Sequence, residues 1–313
     1  MEIHKRLQYV DFLKGFAILC VVVGHIAAFN PKCDLLIDFV YSFHMPLFFF
    51  ISGFLFHKKN IVNIQKSIIS KVKSLIIPYL SISVLAVVLH GFSEESIYGY
   101  FCSETRWGYW FLPTLFIMFL FLIVFRKRFI KNTSFFLAAV ITEIGFCLMK
   151  KLFPPFLSEL FLIRHLVTYW PFMILGLYMN KVRIRLPIVV LSFIFWASII
   201  GLNYFGNINN ELLRTLGRFL AIYSLYGFFV INPNINFIYL KPFTEMGKSS
   251  LVIYMFHFFL LQIVRKYVED CNNGWSAISL TITLAFIISF CCWLLEHYVL
   301  NKNKILSKLF VGK

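Results

Sequence analysis

The stretch from Tyr9 to Phe56, YVDFLKGFAILCVVVGHIAAFNPKCDLLIDFVYSFHMPLFFFISGFLF, decides the fold. It reads as two apolar helices joined by a short polar link. From Phe12 to Phe29 the first helix is hydrocarbon except for Lys14 and His25. An ionisable side chain inside a membrane span costs several kcal/mol unless it has a partner or a task, so both are candidates for chemistry. Their spacing turns through about 1100° at ~100° per residue, within roughly 20° of whole turns. Lys14 and His25 therefore share one helix face, about 16 Å apart along the axis. Asp11 falls near the same face, three residues before Lys14, where it can position the ammonium.

Working outward, the whole chain has the same character. Of its 313 residues 60% are apolar, 39 are Phe and only 14% are charged, with a mean hydropathy of +0.79. That is the composition of an all-α, polytopic integral membrane protein. About ten transmembrane helices are expected, near 10–29, 37–56, 75–91, 109–125, 134–149, 160–179, 186–203, 212–231, 248–264 and 277–299. They form a single domain over 1–313, and the first helix is expected to stay as an anchor. With that division, Lys and Arg gather about two to one on the side holding the N-terminus and the tail, which makes both termini cytoplasmic. The lysines from Lys58 to Lys73 and the run Arg126, Lys127, Arg128, Lys131 belong to this signal. The net charge of +16 is then topology, and nucleic acid is not an expected partner.

The seven cysteines have no C-x-x-C spacing, and most lie in the spans. Cys33, Cys102 and Cys271 fall on the outer face, where a disulfide is chemically allowed. No H-x-x-x-H or clustered acids indicate a metal, and His257 reads as one of several scattered histidines. His44 lies about seven residues into the second helix, roughly 10 Å deep, and can face the same cavity as His25. The bland alternative for each is a neutral imidazole bonded to a backbone carbonyl. Trp110 and Phe111 stand where a span leaves the outer face, as an interfacial belt or a platform for a sugar ring. Arg164 and His165 enter the sixth helix at a depth comparable with His25, and Arg214 and Arg218 lie one turn apart on the eighth. Glu143, mid-helix, must be protonated or paired, and a pair is expected.

Five segments appear together in one order: D-x-x-K-G-(x)9-H from Asp11 to His25, FHMPLFFFISGF from Phe43, KVKSLIIPY from Lys71, WFLPTLF from Trp110 and GKSSLVIYMFH from Gly247. Together they resemble the membrane-bound acyltransferase 3 family over nearly the whole chain. The resemblance implies transfer of an acyl group, usually acetyl from acetyl-CoA, to a hydroxyl of a cell-surface or lipid-linked glycan in the bacterial inner (plasma) membrane. His25 then deprotonates the hydroxyl, Lys14 holds the anionic end of the donor and Asp11 positions Lys14. Lys71 and Lys73 would contact CoA phosphates, and His44, Trp110 and Arg164 the acceptor. Lysine at position 14 replaces the family's common arginine, keeping charge but losing bidentate phosphate binding. Ser74 stands where the basic cluster usually continues. The expected partners are acyl-CoA, a glycan or lipid-linked saccharide and membrane lipid, with no tightly bound cofactor. The chain's end soon after the tenth helix argues against a route through an added esterase-like domain. Two competing readings are an exporter of glycan or lipid-linked sugar and a structural subunit of a polysaccharide-assembly complex.

Overall fold

The structure is a computed structural model that describes residues 7–57, 63–125, 132–206, 210–232, 235–236 and 239–312. The cations Lys58, Lys59, Arg126, Lys127, Arg128 and Lys131 lie outside these residues. Among the described residues the chain is helical and has no strand. A helix meets every one of the ten expected stretches. Among the described residues six, three of them interrupted by short breaks or π turns, are long and apolar enough to cross a bilayer: Gln8–Ala27, Pro31–His57, Ile64–His90, Leu186–Gly206, Ser250–Glu269 and Gly274–Leu300.

The chain forms two compact units, one from 1–51 and 181–296, the other from 52–180 and 297–313. The first contains α1 (Gln8–Ala27), α2 (Asp34–Tyr41), the start of α3 (His44–His57), α11 (Leu186–Gly206), α12 (Glu211–Ile231), α13 (Lys241–Lys248), α14 (Ser250–Glu269) and α15 (Gly274–Leu295). The second contains the rest of α3, α4 (Ile64–Lys71), α5 (Ile77–His90), α6 (Glu94–Phe101), α7 (Phe111–Val124), α8 (Asn132–Leu152), α9 (Pro155–Leu160) and α10 (Ile163–Met179).

In the first unit α1 packs against α2, α13, α14 and α15. Its seat on α13 is made by two glycines. A Cβ on Gly15 would stand 1.8 Å from the Phe243 carbonyl oxygen, and one on Gly247 would stand 1.8 Å from the Asp11 carbonyl oxygen. Backbone meets backbone here, and no side chain fits between. By contrast α11 and α15 keep exposed aliphatic and aromatic faces, including Leu191, Phe195, Ile287 and Phe290, suited to hydrocarbon.

The sequence supplies the helix ends. Asn210 caps α12 through the Leu212 and Leu213 amides, and Asn273 caps α15 through Trp275 and Ser276. Asn30, buried after α1, accepts from the Lys32 amide and donates to the carbonyls of Val268 at 2.8 Å and Cys271 at 3.0 Å. One amide thus satisfies three backbone groups and ties the end of α1 to the end of α14.

The expected second helix is broken. α2 ends at Tyr41 and α3 begins at His44, because Pro46 has no N–H to give the Ser42 carbonyl and its ring crowds that carbonyl. The break is filled by side chains. The Ser42 hydroxyl donates to Phe39 O at 2.6 Å and accepts the Trp196 indole N–H at 2.9 Å.

In the second unit the third span starts earlier than its hydropathy indicates. Asn63 caps α4, and a π turn at Val72–Ile76 carries the helix into α5. Gly53 of α3 meets the Met173 carbonyl of α10, again with no room for a Cβ. Glu143 lacks the expected ion pair among the described residues. The Cys147 thiol lies 4.0 Å from Oε1 and Oε2 is buried without a hydrogen bond. All seven cysteines are free, with Cys33 buried beside the Thr281 hydroxyl.

The Gly15 seat yields a contrast to be measured. Gly15→Ala is expected to lose about 1–3 kcal/mol from overpacking, seen as a lower Tm in detergent. At Gly145 and Gly201, where a Cβ meets nothing within 4 Å, alanine should be neutral or stabilising, by up to about 1 kcal/mol. Equal Tm values for Gly15→Ala and Gly145→Ala would refute the close approach.

Candidate functional site

The first unit gathers His25, His44 and His257. His25 lies in the last turn of α1, partly accessible, with neither ring nitrogen hydrogen bonded to a described residue. His257 of α14 stands beside it, with ring centroids 5.4 Å apart, and Phe258 packs at 4.9 Å. His257 is 0% exposed, and its Nδ1 is 2.9 Å from the Ile253 carbonyl. A carbonyl only accepts, so Nδ1 carries the proton and the neutral ring's Nε2 carries a lone pair. That Nε2 is buried without a hydrogen bond.

The break between α2 and α3 places His44. Its Nδ1 donates to the Val40 carbonyl at 2.6 Å, spanning the gap that Pro46 opens. Tyr41 meets its ring edge-on at 4.9 Å. His25 and Arg218 are both near enough to act on His44 electrostatically. Arg218 is held by Glu211 at 2.8 Å, and Arg214 stands in the field of Asp38. This part of the unit combines one unbonded imidazole, one tethered imidazole and two guanidiniums with acidic neighbours.

Lower on α1, Asp11 is buried and Lys14 partly so. Both flank the α1–α13 seat, since the Asp11 carbonyl is the group against which Gly247 closes. The glycine of GKSSLVIYMFH therefore fixes the height of Lys14, and its last residue, His257, meets His25. The two ends of one motif serve the two ends of α1. His257 does not belong among scattered histidines, and its signal was its place at the end of that motif.

The remaining candidates lie in the second unit. The Lys71 ammonium sits 3.3 Å from the Phe119 ring centroid, a cation–π contact on α7. Lys73 is exposed on the π turn, and the backbone of Gly312, in the left-handed region at φ 69°, closes against the Lys73 carbonyl. Trp110 stacks on His165 with centroids 4.0 Å apart and planes 10° from parallel, and on Tyr169 at 5.2 Å. His165 Nε2 donates to the Glu104 carbonyl at 3.0 Å, which holds the ring under the indole. Arg164 is exposed and pairs with Glu104 at 3.1 Å.

Sequence reasoning missed Arg106. It is 3% exposed, at φ 46°, and donates to the carbonyls of Ser103 and, at 2.8 Å, Leu160. Burial lowers its pKa from the usual arginine value, and the neighbouring Tyr79 opposes that shift. The guanidinium closes two helix ends, and it shapes the loop before Trp110. Nearby, the hydrogen bond to Glu159 raises the Tyr98 hydroxyl's pKa.

A family model described as an acyltransferase domain matches residues 7–297. The chain belongs to the acyltransferase 3 family. No curated protein and no solved structure matches it. As a family member with several membrane-length helices it is a multi-pass membrane acyltransferase, and His25, in the first helix, is the one candidate base whose ring is both partly accessible and without a hydrogen bond to a described residue.

Proposed function

We propose that this acyltransferase takes acetyl from acetyl-CoA on the cytoplasmic side and places it on a sugar hydroxyl of a surface or lipid-linked glycan, in the bacterial inner membrane. About ten spans with both termini cytoplasmic belong to the same proposal. The observation that carries it is His25: an imidazole within a span, partly accessible and without a hydrogen bond to a described residue, at one end of a face whose other end holds Lys14 and Asp11. An imidazole with an ordinary pKa of ~6.5 is a usable general base.

In this reading the hydroxyl gives its proton to His25 as its oxygen attacks the thioester carbonyl. The carbon–sulfur bond breaks, the acetyl ester forms, and the CoA thiolate leaves and takes up a proton. Lys14 stabilises the donor's anionic end, and Lys71 and Lys73 contribute charge for the CoA phosphates. Trp110, backed by His165 and Tyr169, offers a flat face for a sugar ring, with Arg164 next to His165. In the first unit His44 would hold an acceptor hydroxyl for His25.

Two measurements test this reading. Purified protein in proteoliposomes should consume acetyl-CoA, with Lys14→Arg retaining most activity. Lys14→Gln should raise the apparent KM for acetyl-CoA roughly tenfold for each ~1.4 kcal/mol lost. Equal donor KM for glutamine and lysine would remove Lys14 from the site, and glycan movement without donor consumption would contradict the enzyme. For topology, a reporter fused after Lys181 should be cytoplasmic and one fused after Glu94 periplasmic. A swap at either position would overturn the span count.

A further inference from the structure

An orphaned nitrogen lies in the ring beside the proposed base. His257 Nε2 is a lone-pair acceptor in a fully buried ring, with its tautomer fixed by the Ile253 carbonyl. An unpaired buried acceptor costs about 1–3 kcal/mol, so it calls for a donor. The imidazole beside it is His25, whose nitrogens have no hydrogen bond to a described residue. Two imidazoles joined by an N–H···N bond of about 2.9 Å have ring centres about 5 Å apart. The observed centroid separation of 5.4 Å, with planes 34° apart, is close to that spacing.

We propose that His257 is the positioning residue of His25: its buried Nε2 accepts one N–H of the His25 imidazole and leaves the opposite His25 nitrogen unprotonated, on the accessible side. This rests on the reading of His25 as base and adds what that reading lacks, a group that selects the tautomer. In turnover the free nitrogen takes the hydroxyl proton. The imidazolium then has two N–H groups, one held by His257 and the other available to return the proton. His257 keeps its own Nδ1 proton on Ile253 throughout and is neither consumed nor charged. Phe258 packs on both rings, with centroids 4.9 Å from His25 and 4.1 Å from His257, so the pair is walled by an apolar side chain that offers no competing donor.

The test uses the full chain, labelled with ¹⁵N-histidine in lipid, and magic-angle-spinning NMR. His25→Ala assigns the His25 signals. In the wild type His25 should show one neutral tautomer, and in His257→Phe, which keeps the volume but removes the acceptor, a mixture of both. His257→Gln supplies a side-chain oxygen in place of Nε2 and should restore the single tautomer. Acetyl-CoA turnover should fall at least about tenfold in His257→Phe, with donor KM changed less than about threefold, and recover in part in His257→Gln. An unchanged His25 spectrum in His257→Phe overturns the proposal. So does a glutamine variant that behaves like the phenylalanine one, because packing alone then explains the effect. The reading of His25 as base fails separately, if His25→Ala transfers acetyl normally while the tautomer shift in His257→Phe is seen.

Discussion

The backbone contact of α1 with α13 is the constraint on which the rest of the first unit depends. Gly15 and Gly247 let each helix touch a carbonyl of the other, Phe243 on one side and Asp11 on the other. Helices this close are fixed in height and rotation, since sliding either one drives a Cβ or a carbonyl into its neighbour. α1 is rigid, so fixing it at Gly15 also fixes Lys14 and, along the same face, His25 about 16 Å away. α14 begins directly after α13, so the same contact sets where His257 arrives. Asn30 closes the far end, by joining the end of α1 to the carbonyls that end α14.

Several polar groups in this unit follow the rule that hydrocarbon imposes, turned inward and given a partner. His44 has the Val40 carbonyl, Ser42 has Phe39 and Trp196, and Arg218 has Glu211. Against that background His25 and His257 stand out together. One imidazole is partly accessible and has no hydrogen bond to a described residue, and the other has a single buried unpaired nitrogen. Buried hydroxyls of Ser249 and Ser289 are also without a hydrogen bond, but among the described residues only the imidazole pair joins an unpaired nitrogen to a second titratable ring in contact with it.

Much of this was legible in the sequence. Hydropathy placed a helix in all ten expected stretches, because apolar runs of span length have few other outcomes. The face shared by Asp11, Lys14 and His25 followed from helical period alone. The break after Tyr41 was readable from Pro46 but was hidden by an unbroken apolar run on both sides. α4 was missed because five of its eight residues are polar, and the Asn63 cap that starts it is a weak signal beside hydropathy. For Glu143 an ion pair was expected, and among the described residues none is found; sequence shows that a charge is deep but not whether a cation is beside it. The His25–His257 contact was beyond reach: it joins residues 232 positions apart, which no local periodicity connects.

In the proposed reaction an imidazole on the first helix, His25, is the base for the acyl transfer. The direct measurement is the movement of radiolabel from [1-¹⁴C]acetyl-CoA into membrane glycan, in membranes containing equal, correctly inserted amounts of wild type or His25→Ala. A fall of about 10²- to 10⁴-fold in ester-linked label in the variant is predicted, the usual contribution of a general base. Label transfer in His25→Ala at the wild-type rate would contradict the account.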